Sequence, residues 1–171
     1  LMRTILMLAA PVAMAGVAHA GTLEISVEIP KLNVAEYHRP YIAIWIEDAS
    51  GKVAANLSVW YDVDLKDQEG EKWLKDIRQW WRRSGRNLEL PMDGVSSPTK
   101  PPGKNSMKFD TAKGPIAMLP PGEYKIIVEA SCEVGGKELV EIPFKWAPGG
   151  EAQGAAQGRE ELGAVTLKLT K

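Results

Sequence analysis

The sequence predicts an all-β chain, an immunoglobulin-like antiparallel β-sandwich with one inserted amphipathic helix. Three observations carry that expectation. About seven short stretches alternate apolar and polar residues, the period of a strand with one buried face. Turn signals such as Ser50-Gly51 and Gly135-Gly136 punctuate them. A single stretch near the middle changes to helical spacing.

At the start, Arg3 precedes an apolar run from Ile5 to Val17, followed by Ala18-His19-Ala20, a small-x-small cleavage site. Residues 1–20 are therefore expected to be a cleaved signal peptide, leaving residues 21–171 as one exported domain. The run is short for a membrane span and contains Pro11, so the mature protein is not expected to be membrane-embedded. The bacterial periplasm fits best.

Thr22 to Ile29 alternates and stops at Pro30, and Tyr41 to Asp48 places Ile42, Ile44 and Ile46 on one face. Its other face, with Tyr41, Ala43 and Trp45, is apolar enough to be covered too. Asn56 to Tyr61 is the return strand, expected to share Leu57, Val59 and Tyr61 on one side. Over Glu71–Ser84, Trp73, Leu74, Ile77, Trp80 and Trp81 recur at helical spacing, and Gly85 stands as a C-terminal cap. Lys104 to Met118 reads as irregular. Glu123–Ser131 and Lys137–Trp146 form a hairpin, with Pro143 indicating a sheet edge. Residues 148–160, rich in Gly, Ala and Gln, are expected to be a mobile loop, and Leu162 to Leu169 is the closing strand.

Composition excludes several functions. The formal net charge is -1, and loss of Arg3 makes the mature chain slightly more acidic, so no nucleic-acid binding is indicated. Cys132, the one cysteine, has no internal disulfide partner and is expected to be a small buried filler. His38 is the sole mature histidine, so a multi-histidine metal or haem site is not expected. Asp62, Asp64, Asp67 and Glu69 depart from calcium-loop register at Lys66 and Gly70 and read as a solvated loop. No nucleophile-elbow context surrounds any Ser, so no catalytic or metal residues are assigned and the chain is not expected to be an enzyme.

The stretch from Met92 to Gly103 has no apolar periodicity and carries Pro98, Pro101 and Pro102, the signature of a loop held against something rigid. This loop, Tyr37-His38-Arg39-Pro40-Tyr41-Ile42-Ala43-Ile44-Trp45-Ile46-Glu47-Asp48, the Trp73–Arg82 segment and Pro121-Gly122-Glu123-Tyr124 together resemble the domain-of-unknown-function 2271 (DUF2271) family of periplasmic proteins. The strand after Pro120 is also similar to the immunoglobulin-type domain of flagellar hook-capping proteins.

The resemblance implies an exported protein whose gene sits near PepSY-type membrane proteins and a flavin transferase, the enzyme that links FMN to Ser or Thr through a phosphoester. It also implies a loop similar to that transferase's acceptor motif, Asp-x-x-Ser/Thr-Gly-Ala-Thr. Position by position, Asp93, Ser96 and Thr99 match, with Thr99 as the acceptor, but Ser97 and Pro98 stand where Gly and Ala are usual. Pro98 fixes its own φ and restricts Ser97, where the acceptor motif offers a slim, adaptable backbone.

The expected role is a non-catalytic accessory of an envelope flavin/PepSY-type redox system, either carrying FMN covalently on Thr99 or descended from one that did, with a proline-rich loop that has lost the acceptor function. His38, Arg39, Trp80 and Trp81 are the expected neighbours of Thr99. The alternative is a periplasmic binding or scaffold module with no cofactor.

Overall fold

The structure is a computed structural model that describes residues 20–171. The leader expected over residues 1–20 therefore lies, apart from Ala20, outside the described residues. Among the described residues nine strands form two sheets: β1 (Thr22–Ile29), β2 (Tyr41–Asp48), β3 (Val53–Tyr61), β4 (Ser96–Pro98), β5 (Gly103–Asp110), β6 (Gly122–Ser131), β7 (Lys137–Trp146), β8 (Ala152–Gln157) and β9 (Ala164–Thr170). One sheet has the order β5-β1-β9-β8 and the other β4-β3-β2-β6-β7. All pairs are antiparallel except β3 with β4.

The sheets face each other as a sandwich, as the alternating stretches predict. Ile25 and Val27 of β1, Ile42, Ile44 and Ile46 of β2, and Ile126 and Val128 of β6 fill the layer between them. Burying such side chains contributes about 1.5–3 kcal/mol each, the main force holding the layers together. β7 ends its sheet, in keeping with Pro143.

A second apolar layer lies on the outside of the five-stranded sheet. Tyr41, Ala43, Trp45, Val59, Tyr61 and Ile127 are covered there by Leu74, Ile77 and Trp80. The tryptophan-rich stretch thus forms a lid on this sheet, but its form differs from the regular helix predicted over residues 71–84. Only α1 (Arg78–Arg83) is α-helical; Lys66–Asp76 is a series of 3₁₀ turns broken at Asp67 and Gln68, whose φ angles are positive.

Two contacts explain the break. Gly70 lies so close to the Asp62 carbonyl that a Cβ would approach it to 2.1 Å. Downstream, the buried Glu129 carboxylate of β6 accepts the backbone N–H groups of Gln79 and Trp80 at 2.9 and 2.8 Å, fixing where α1 begins. Gly85 does not cap the helix through a left-handed backbone. It is needed because the Trp80 ring lies across it, 2.6 Å from where a Cβ would stand.

Further expectations are corrected by tertiary packing. The register between β2 and β3 shifts at Leu57 and again at Ala54, so Leu57 turns into the inter-sheet layer while Val59 and Tyr61 face the lid. Lys104–Met118 is not irregular: it contains β5 and the short α2 (Gly114–Ala117). Nor is all of 148–160 a mobile loop. Its small residues belong to β8, where Gly154 packs so closely on Ile142 that a Cβ would lie 2.4 Å from it. Cys132 is half-buried, and its thiol donates to the His38 carbonyl at 3.2 Å.

One carboxylate closes the far turn. Glu138 of β7 accepts backbone N–H groups from Arg159, Glu160, Glu161 and Leu162. Partial burial pushes its pKa up, but these four donors outweigh that and hold it below the usual 4.5. A depressed folded-state pKa stabilises the protein above 4.5, and that contribution is lost as pH falls through the folded value. Glu138→Gln is therefore expected to lower the urea midpoint at neutral pH, with the gap to wild type closing as the medium is acidified below 4.5. A gap that is constant with pH would contradict this.

Candidate functional site

Thr99 is placed by β4. That strand runs parallel to β3 with Pro98 opposite Tyr61, so the chain leaves the sheet edge beside Tyr61 and Asp62. The Met92–Gly103 stretch is thus not wholly loop, and the residue before Thr99 is pinned in a strand. Ser97 and Pro98 suit this: both accept extended backbone, and Pro98 sits at the outer edge, where its missing N–H costs no ladder bond.

Half-buried, Thr99 lines a pocket of about 410 Å³ together with Tyr37, His38 and Arg39 from the connector before β2. The 3₁₀ segment contributes Glu69, Trp73 and Asp76, the end of β6 contributes Ser131, and the turn after it contributes Glu133. Tyr37 and Trp73 are 37% and 47% exposed, a large apolar area for aromatic rings to leave open beside a cavity.

The charges are mixed. His38 is held between two carboxylates, with Nε2 2.8 Å from Glu36 and Nδ1 3.3 Å from Glu133. Glu69 and Asp76 lie 3.9 and 4.0 Å from Lys72 and Lys137, at the limit of ion pairing. Arg39 has no ion-pair partner among the described residues and is the cation left available to an anion. Burial pushes the Tyr41 phenol up to about 12, so it stays protonated, and it donates to the Gly70 carbonyl at 3.2 Å.

Of the residues expected around Thr99, the pocket gathers His38 and Arg39. Asp93 is elsewhere, in a separate cleft with Met92 and Val95. Ser96 is committed within its own turn: its Oγ accepts the Met92 N–H at 2.9 Å, and the Tyr61 hydroxyl lies 3.5 Å away. Trp80 is fully buried, with Nε1 donating to Asn56 at 2.8 Å, and Trp81 packs half-buried against the lid core.

Neither Trp80 nor Trp81 lines the pocket, which corrects their expected role as neighbours of the acceptor. Trp73 takes that place, because 3₁₀ turns carry it off the stripe that α-helical spacing assigns to it. Glu133 and Ser131 escape a linear reading, since only the pairing of β6 with β2 brings them beside His38.

Among the described residues no helix is long and apolar enough to cross a membrane. No curated protein and no solved structure matches the chain. A family model does match, over residues 22–164, from β1 to the first residue of β9. The match covers most of the sandwich and both clefts, and on it the chain belongs to the DUF2271 family, described as predicted periplasmic protein.

Proposed function

We propose that this periplasmic protein is a non-catalytic accessory of an envelope redox system and that it carries FMN, joined through its phosphate to the Thr99 hydroxyl. One observation carries the reading: Thr99 opens into a pocket that also holds an available guanidinium, Arg39, and two half-open aromatic rings, Tyr37 and Trp73. The residues fit the group. About 410 Å³ falls in the range of small-molecule sites, and a phosphodiester's single negative charge suits one arginine.

Flavin, when bound, supplies one- and two-electron transfer. The chain's own part is to hold and shield: Arg39 neutralises the phosphate, and Trp73 and Tyr37 offer apolar faces. The protonated Tyr41 and the carboxylates of Asp62, Glu69, Asp76 and Glu133 set the local field. That field is acidic, which disfavours adding negative charge and biases a bound carrier toward giving electrons up. A flavin transferase and a PepSY-type membrane protein are the partners this reading requires.

Its test is intact mass and visible absorption of the chain exported from cells that also make a flavin transferase. The wild type is expected to be yellow and heavier by one flavin phosphate unit, and Thr99→Ala colourless at its unmodified mass. A colourless wild type would overturn the reading. Loss of colour in Thr99→Ala is informative because a half-buried threonine at a sheet edge costs little stability, within about 1 kcal/mol. Unchanged urea midpoints then confirm that the variant is folded.

A further inference from the structure

Three connections meet at the end of the five-stranded sheet where the Thr99 pocket lies: the segment entering β2, the segment leaving β3 and the β6–β7 turn. Strand pairing brings them together, since Tyr41 at the start of β2 stands opposite Ser131 at the end of β6, and Ile42 opposite Trp60 near the end of β3. Each carries a large apolar side chain that folding leaves open. Tyr37 comes from the first, and Leu65, 46% exposed, and Trp73 come from the second; all three border the pocket. In the turn, Val134 follows the lining residue Glu133 and is 69% exposed. Scattered singly over a surface, such residues need no explanation, but these gather around one opening. Tyr and Trp are also the side chains enriched where proteins touch.

Charge narrows the class of partner. Asp62, Glu69, Asp76 and Glu133 line the pocket against Arg39 and His38. His38 is already placed between Glu36 and Glu133, while Lys72 and Lys137 reach Glu69 and Asp76 only at 3.9 and 4.0 Å. Asp62 has no ion-pair partner among the described residues, nor have Asp64 and Asp67, which flank Leu65. Lys66 is the one cation in the run from Asp62 to Glu69. The face is acidic, so it repels nucleic acid, an anionic membrane and a second copy of itself.

We propose that the mouth of this pocket is the docking face for a partner protein whose own contact patch is apolar at its centre and ringed by Lys and Arg. The partner's apolar centre covers Tyr37, Leu65 and Trp73, and its cations meet Asp62, Glu69 and the carboxylates beside Leu65. The purpose of the contact rests on the redox reading, since a protein seated here is placed to exchange electrons with a group on Thr99. The contact itself needs no flavin.

The experiment is selection of a random dodecapeptide display library against the unmodified mature chain, followed by titration of the tightest synthetic binder. Selected peptides are expected to combine aromatic or leucine side chains with several Lys or Arg, and to slow amide exchange within residues 62–76 and at Glu133. The double variant Asp62→Lys, Glu69→Lys changes two exposed positions and is expected to lose about tenfold in affinity while keeping its thermal midpoint. Trp73→Ala is expected to lose about as much. Because the chain carries no flavin in this experiment, failure of the Thr99 reading leaves its outcome untouched. The proposal is overturned by the absence of a saturable binder, by selected peptides without basic residues, by protection confined to another face, or by affinity indifferent to the charge reversal. Displacement of the peptide by tetramethylammonium also overturns it, since that assigns the opening to a small organic cation.

Discussion

Trp80→Ala is expected to cost about 3–5 kcal/mol of folding free energy, a large fraction of the about 5–15 kcal/mol that a domain has to lose. The side chain is fully buried at the centre of the outer layer, against Leu74 and Ile77 and across Gly85. Its removal leaves a cavity that Gly85, having no side chain, cannot fill. It also strips Asn56 of the indole donor at 2.8 Å, leaving the Ser84 hydroxyl at 3.3 Å as that oxygen's other contact. Urea denaturation of this variant beside Trp73→Ala separates the two tryptophans: Trp73 is about half exposed, and its loss is expected to cost less than about 1 kcal/mol. Equal costs would contradict the assignment of one to the core and the other to the pocket.

Glu129→Ala is expected to cost about 2–4 kcal/mol, and to loosen the lid before the sandwich itself unfolds. The carboxylate sits 5% exposed beneath α1 and accepts two of that helix's first N–H groups. Alanine leaves both donors without an acceptor in a site water reaches poorly, so the penalty exceeds that of an ordinary surface cap. Glu129→Gln keeps one acceptor and should recover part of the loss. The distinguishing measurement is hydrogen exchange: the amides of Gln79 and Trp80 should exchange much faster in Glu129→Ala, while those of β1 and β9 change little. A uniform acceleration across both sheets would show that the lid and the sandwich open as one unit.

The lid also decides how the pocket is built. Because Glu129 and Trp80 fix α1, the preceding 3₁₀ turns are held with Trp73 outward, beside Tyr37 and Thr99. The structural tryptophan, Trp80, and the candidate stacking tryptophan, Trp73, thus lie in one short segment with opposite tasks.

That division was hidden in the chain. Strands such as Thr22–Ile29, Tyr41–Asp48 and Gly122–Ser131 were legible because a sheet repeats every two residues and their buried faces are uninterrupted. The stripe rule failed at Trp73 because it assumes α-helical spacing, and Gly70 against Asp62 and Glu129 against α1 are contacts no local pattern encodes. Leu57 was misread because each register shift flips the face of every residue beyond it. β8 looked like a linker since small residues have two uses, freedom and close approach, and only Ile142 across the gap shows which applies. At the site, the family motif located Thr99 and the adjacent His38-Arg39 pair suggested its cation. Matching the motif in order also drew in Asp93 and Ser96, whose backbone turn carries them away from the pocket that Thr99 faces.

Fragment mass spectrometry of the chain exported alongside a flavin transferase tests the Thr99 reading at the level of a single oxygen. The geometry predicts one phosphoester adduct, on the peptide containing Thr99 and at that residue, because its side chain alone among the loop hydroxyls lines the pocket with Arg39 and Trp73. An adduct on Ser96 or Ser97, or a bare chain, would contradict it.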